Sequence, residues 1–235
     1  MADLLDLLST WMPRQRWYGS KGRDPRLSIL AEWHLDTPGT RLLLVQDDAV
    51  VPAVLYQVPV VDRPGGTATD AAVIGPAGEG REWSDAVSDP AFTELLFHAV
   101  TRGAATGADT AGGSPTLQAI SLSDGADAAD RVTARVLSGE QSNTSIIFRP
   151  DAGGTPVICK LFRQVNPGIN PDVELQAALA AGGAAYVPRS VGEIRGTWTS
   201  TDGETVTGSL AFAQQFFEGV VDAWRVALRA ATAGE

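Results

Sequence analysis

Val157-Ile158-Cys159-Lys160-Leu161-Phe162-Arg163 is a short apolar run interrupted by one lysine, and its reading decides the fold. Side chains alternate across a strand, so Lys160 shares a face with Ile158 and Phe162 while Cys159 and Leu161 line the other. A charge placed there lies either at a solvated sheet edge or in a cleft. Only Lys21 and Lys160 are lysines among 18 basic residues, arginine having taken every other position. A lysine kept in such a chain is a compact point charge, suited to a phosphate.

Upstream, Leu137-Ser138-Gly139-Glu140-Gln141-Ser142-Asn143-Thr144 is a turn of small and amide residues between predicted strands at 131–138 and 144–149. Backbone N–H groups of such a turn can surround phosphate oxygens, and Gly139 allows a close backbone approach. The same residues satisfy an ordinary β-turn, and no Walker pattern is present. Downstream, Asn170 and Pro171 start a helix over 171–181 that ends at Gly182-Gly183, with Leu175, Ala178 and Leu179 expected to be buried. Helix geometry lets Glu174 face the sheet. A Lys–Glu pair between strand and helix holds the lysine toward ATP in protein-kinase-like folds. The plainer alternative is a first-turn glutamate that favours the helix dipole. Leu210-Ala211-Phe212-Ala213-Gln214-Gln215-Phe216-Phe217-Glu218-Gly219 reads as a strand running into a hinge, or as a core strand leading into a loop. Loop, lysine strand, glutamate helix and hinge come in the order of a kinase-like N-lobe.

Before this region the pattern predicts a helix at 3–12, strands at 27–34, 41–46, 53–61 and 71–75, and a helix at 89–102 that buries Phe92, Leu95, Leu96 and Ala99. The stretch 103–114 is made of small residues and reads as a linker. Further strands are predicted at 191–198 and 205–213, and a last helix from Asp222 with Trp224, Ala227 and Leu228 on one face. The fold class is α+β: a β-rich domain over 1–105, an antiparallel sheet with one main helix over 115–217, and the start of a truncated lobe over 218–235.

With 235 residues and 44% apolar content the chain can build a real core. A formal net charge of -10 argues against nucleic acid and anionic membrane as partners, since both are bound through Lys and Arg. A single cysteine, Cys159, and two histidines give no zinc spacing. The acidic start and the lack of a long apolar run predict a soluble, cytoplasmic protein.

The stretch Arg14-Gln15-Arg16-Trp17-Tyr18-Gly19-Ser20-Lys21-Gly22-Arg23 resembles the opening signature of actinobacterial maltokinases and their glucosamine-kinase relatives. Leu137 to Ser145, Lys160-Leu161-Phe162-Arg163, Asn170-Pro171-Asp172-Val173-Glu174, Gln214-Gln215-Phe216-Phe217 and Asp222-Ala223-Trp224 are similar to the same family, in the same order. The resemblance implies an aminoglycoside-phosphotransferase-like kinase with an N-terminal cap domain, an N-lobe and a helical C-lobe. It implies transfer of phosphate from ATP, with Mg²⁺, to the anomeric hydroxyl of maltose in α-glucan synthesis. Ser138, Gly139, Gln141, Ser142, Asn143 and Thr144 would cover the phosphates, Lys160 would contact them and Glu174 would hold the lysine. The main chain of Gln215, Phe216 and Phe217 would take the adenine. The family's His-Gly-Asp motif is absent from these residues, so no catalytic or metal residue is expected in this chain, and it is expected to be inactive by itself. The sugar acceptor would then bind only with the missing C-lobe, and trehalose synthase is the protein partner the family implies. Glucosamine kinase, and a non-catalytic regulatory module derived from the kinase, are the alternatives. For Trp17 and Tyr18, a structural role in the cap is favoured over stacking on a sugar.

Overall fold

A computed structural model describes residues 3–103, 115–123, 125–137, 142–184, 187–220 and 223–233. Two antiparallel sheets dominate. In the first, β1 (Leu27–His34), β2 (Thr40–Asp47), β3 (Val54–Pro64), β5 (Arg81–Asp85) and β4 (Val73–Gly78) follow one another in the order β1-β2-β3-β5-β4. In the second, β6 (Thr116–Ser121), β7 (Val132–Val136), β8 (Asn143–Pro150), β9 (Val157–Phe162), β11 (Ser190–Thr199) and β12 (Thr205–Gln215) take the order β6-β11-β12-β9-β8-β7. The two-residue strand β10 (Gln164–Val165) continues directly from β9 but pairs with β3 of the first sheet.

Strand alternation sorts the cores. Leu43 and Val45 of β2, with Tyr56, Val58 and Val60 of β3, meet Leu8, Trp11 and Met12 of α1 (Leu4–Trp11) and the residue after it. Leu42 and Leu44 point the other way, into a larger core shared with Ile146, Phe148, Cys159, Leu161 and Ala211 of the second sheet. Helix α2 (Pro90–Arg102) adds Phe92, Leu96, Phe97, Ala99 and Val100 to that core. Asp89 caps the helix by accepting from the amides of Ala91 and Phe92, and Gly103 closes it at φ 71°, a left-handed turn that costs glycine little. Helix α3 (Pro171–Ala181) covers part of the second sheet's outer face, and α4 (Ala223–Ala233) ends the described residues.

The predicted elements lie where the periodicity put them, with three additions. β5, β6 and β10 were not predicted: β5 carries charges at Arg81, Glu82 and Asp85, β6 follows directly on the small-residue stretch, and β10 is two residues long. The predicted inner stripe of α3 differs as well. Val173 is its buried residue, whereas Leu175 is 59% exposed and Ala178 is exposed. The side chain of Trp224 and the whole of Asp222 lie outside the described residues, and Leu228 of the same predicted stripe is exposed.

Candidate nucleotide-facing site

Lys160 sits near the middle of β9, opposite Ser145 on β8 and Phe212 on β12. Its neighbours on that face, Phe162 and Phe212, form a small cluster with Val173 of α3. Cys159 and Leu161 point into the core shared with the first sheet. The first sheet therefore backs the surface opposite Lys160 and leaves the lysine's own face to α3 and solvent. The lysine side chain retains 28% of its exposure, a half-open position at the rim of a face rather than an edge strand.

Along β9, the two ends of the strand lead to different features. Gln215 is paired with Val157, three residues from the Phe212 opposite Lys160, roughly 10 Å along the strand. In the other direction Asn143, the first residue of β8, pairs with Phe162, and the exposed Ser142 precedes it. Lys160 thus lies between the chain that leaves β12 and the first residues of β8. The amide of Gln215 donates to the carbonyl of Arg189 at 2.8 Å, and that of Phe216 to Pro156 at 2.7 Å. Those two donors are used within the protein, and Phe217 supplies the next one. Arg149 Nε binds Glu218 Oε1 at 2.8 Å and ties the exit of β12 to the end of β8.

Of the sequence-predicted residues, Ser138, Gly139 and Gln141 lie outside the described residues. Ser142 is exposed, and its carbonyl accepts from the amide of Arg163 at 3.2 Å. Asn143 is half-buried on the first position of β8, and Thr144 is buried, its hydroxyl accepting from Arg163 Nε at 2.8 Å. Glu174 is exposed and does not meet Lys160. The carboxylate that does is Asp172, whose Oδ2 takes a hydrogen bond from Lys160 Nζ at 2.9 Å. Two residues along a helix are about 200° around it, so Asp172 and Glu174 cannot both face the sheet. Gln176 and Leu179 are half-buried beside the buried Val173, and both lie on the Asp172 side of the helix, which fixes which one does. Asp172 was missed because Glu174 was read as facing the sheet from the side opposite the Leu175 and Leu179 stripe. The signal available was the short polar opening Asn170-Pro171-Asp172.

Arg163, the last residue of the quoted run, was also missed. It is 1% exposed and its Nη2 meets Asp85 Oδ2 of β5 at 2.6 Å. Its guanidinium carbon also lies 5.0 Å from the centre of the Trp17 ring, a cation–π distance. Gln57 of β3 donates through Nε2 to the carbonyls of Phe162 and Leu210, at 3.2 and 3.1 Å. The strand that bears Lys160 therefore ends in a buried polar seam with the first sheet. Trp17 and Tyr18 belong to that first unit. Trp17 packs on Trp11 and Tyr56, Tyr18 stacks on Tyr56, and both are buried. Neither ring is open to a ligand.

Among the described residues no group of three His, Cys, Asp or Glu side chains converges as a metal site. None of the described helices is long and apolar enough to cross a membrane. The sequence profile described as the maltokinase N-terminal cap domain matches residues 11–89. That match takes in the last residue of α1, strands β1 to β5, and Asp89, the cap of α2.

Proposed function

We propose, from the membership of residues 11–89 in the maltokinase N-terminal cap domain family, that this chain supplies the nucleotide-facing part of an ATP-dependent sugar kinase. Maltose is the acceptor this reading favours, because the matching domain is described for maltokinases. The observation that carries the nucleotide assignment is the position of Lys160. It sits on the third strand of the meander β7-β8-β9, after a turn of small residues and before a helix that offers it a carboxylate. Kinase-like folds hold ATP with that succession of loop, strand lysine and helix acid.

On this reading the turn over 138–144, with Ser142, Asn143 and Thr144 at its β8 end, covers the phosphates, and Lys160 neutralises one of them. The adenine lies against the main chain at Gln215, Phe216 and Phe217, with Phe217 offering the N–H donor. Asp172 and Glu174 lie within the first turn of α3, where a carboxylate also favours the helix dipole. Mg²⁺ would arrive with the nucleotide, and no ligand for it is assigned among the described residues. With no His-Gly-Asp in these residues, nucleotide binding rather than phosphoryl transfer is the activity to measure.

Calorimetric titration of Mg-ATP into the wild-type chain and into Lys160→Ala checks this. The expected result is a saturable heat in the wild type that falls by at least roughly ten-fold in affinity in the variant, as for loss of a charge-assisted phosphate contact. Equal heats from both proteins overturn the phosphate role of Lys160, and a flat wild-type titration overturns the nucleotide reading and favours an interaction module.

A further inference from the structure

Two carboxylates in the first turn of α3, Asp172 and Glu174, lie within two residues of each other, and only one can serve the strand lysine. The geometry points to Asp172 as the positioning residue for Lys160, a conclusion that rests on the nucleotide reading above for its consequence but not for the pairing itself. Asp172 Oδ2 lies 2.9 Å from Lys160 Nζ, and the next residue, Val173, is buried against Phe162 and Phe212. Val173, with the half-buried Gln176 and Leu179 on its Asp172 side, sets the rotation of the helix. Gln176, one turn on from Val173, is half-buried on the same face, whereas Glu174 points to solvent.

The start of α3 is itself held by β12. The amide of Asn170 donates to Ser209 Oγ at 3.0 Å, and the Asn170 side chain in turn accepts from the amide of Asp172 at 2.9 Å. Just before it, Gly168 donates to the carbonyl of Thr207 at 2.8 Å and accepts from the amide of Ser209 at 3.3 Å. The carboxylate of Asp172 is therefore referenced to β12, the strand that continues into the Gln215–Phe217 segment. Lys160 and that segment share one frame, so the charge that meets the phosphates is set relative to the place assigned to the base.

The chain contains only two lysines, which makes the pairing directly observable. In protein labelled with ¹⁵N-lysine, Lys21→Arg leaves Lys160 as the sole side-chain ammonium signal. Asp172→Asn in that background is expected to shift the Nζ resonance, while Glu174→Gln leaves it unchanged and Asp172→Glu restores it in part. The same variants are then titrated with Mg-ATP. Asp172→Asn is expected to change the affinity by roughly two- to five-fold, the size of a half-exposed ion pair, and Glu174→Gln to leave it as it is. A resonance that follows Glu174, follows both residues equally or follows neither overturns the assignment. A resonance that follows Asp172 in a chain that binds no nucleotide upholds the pairing and removes only its link to ATP.

Discussion

Tyr18 has the structural role favoured for it over a sugar contact. Its hydroxyl donates to Asp47 Oδ2 at 2.6 Å, and the amides of Ala49 and Arg26 donate to Oδ1 of the same carboxylate at 3.0 and 3.1 Å. Burial alone would raise the Asp47 carboxyl, but these three donors outweigh it and hold the group below the ordinary 3.8. Burial together with the neighbouring carboxylate pushes the Tyr18 phenol well above its ordinary 10.0. The signs follow by linkage. The folded phenol is harder to ionise than the unfolded one, so its contribution is whole below pH 10.0 and is lost as pH rises toward the folded value. The Asp47 carboxyl is easier to ionise when folded, so its contribution is present above pH 3.8 and is lost on further acidification. Tyr18→Phe should cost about 1.5–3 kcal/mol at pH 7, the worth of a hydrogen bond to a buried charge. Urea unfolding from pH 7 to 11 checks this: the gap between wild type and variant is expected to narrow above pH 10.0.

At the scale of elements, the tightest junction is that of α2 with β11. A side chain on Gly192 would place its Cβ 1.9 Å from the carbonyl oxygen of Val100 and 2.8 Å from that of Ile120. Both obstacles are backbone, so neither can swing aside. Gly192→Ala should force α2 off the sheet and lower stability by about 3 kcal/mol, the upper range for overpacking. The midpoint of chemical unfolding measures it, with Gly182→Ala as the comparison, an exposed position at φ -75° where a Cβ would meet its nearest neighbours at an ordinary 3.5 Å. Most elements were legible because their signals are local. Short apolar runs mark β2 and β9, Asp89-Pro90 marks the start of α2, and Asn170-Pro171 that of α3. What was not legible depended on partners distant in sequence. β5 is a strand because Trp83 and Ser84 pair with Asp62 and Val61 of β3, not because its residues alternate cleanly. β10 exists only through its two pairings with β3. The face of α3 follows one valine packed between two phenylalanines from different strands, a contact that helical periodicity cannot anticipate. The lysine of the candidate site could be singled out from composition, but its acid could not.

In the whole molecule the layers run from α1 through the first sheet and the second sheet to α3, and one buried ion pair spans the middle. Arg163 and Asp85 come from opposite sheets, and a buried pair that loses one member leaves the other charge without compensation. Asp85→Ala is expected to cost about 3–5 kcal/mol on that ground. Cys159, the single cysteine, lies in the core common to both sheets, fully buried, with its thiol pushed up to about 12 by desolvation. Such a sulfur is almost wholly protonated near neutrality and sealed from reagents. Pulsed alkylation at pH 8 is therefore expected to label Asp85→Ala far faster than wild type, and equal rates would refute the role given to the ion pair. The same burial has a practical side. Because the native thiol is silent, a cysteine introduced on the surface would be the one reactive handle in the folded protein, and Cys159 itself keeps time for the parting of the two sheets.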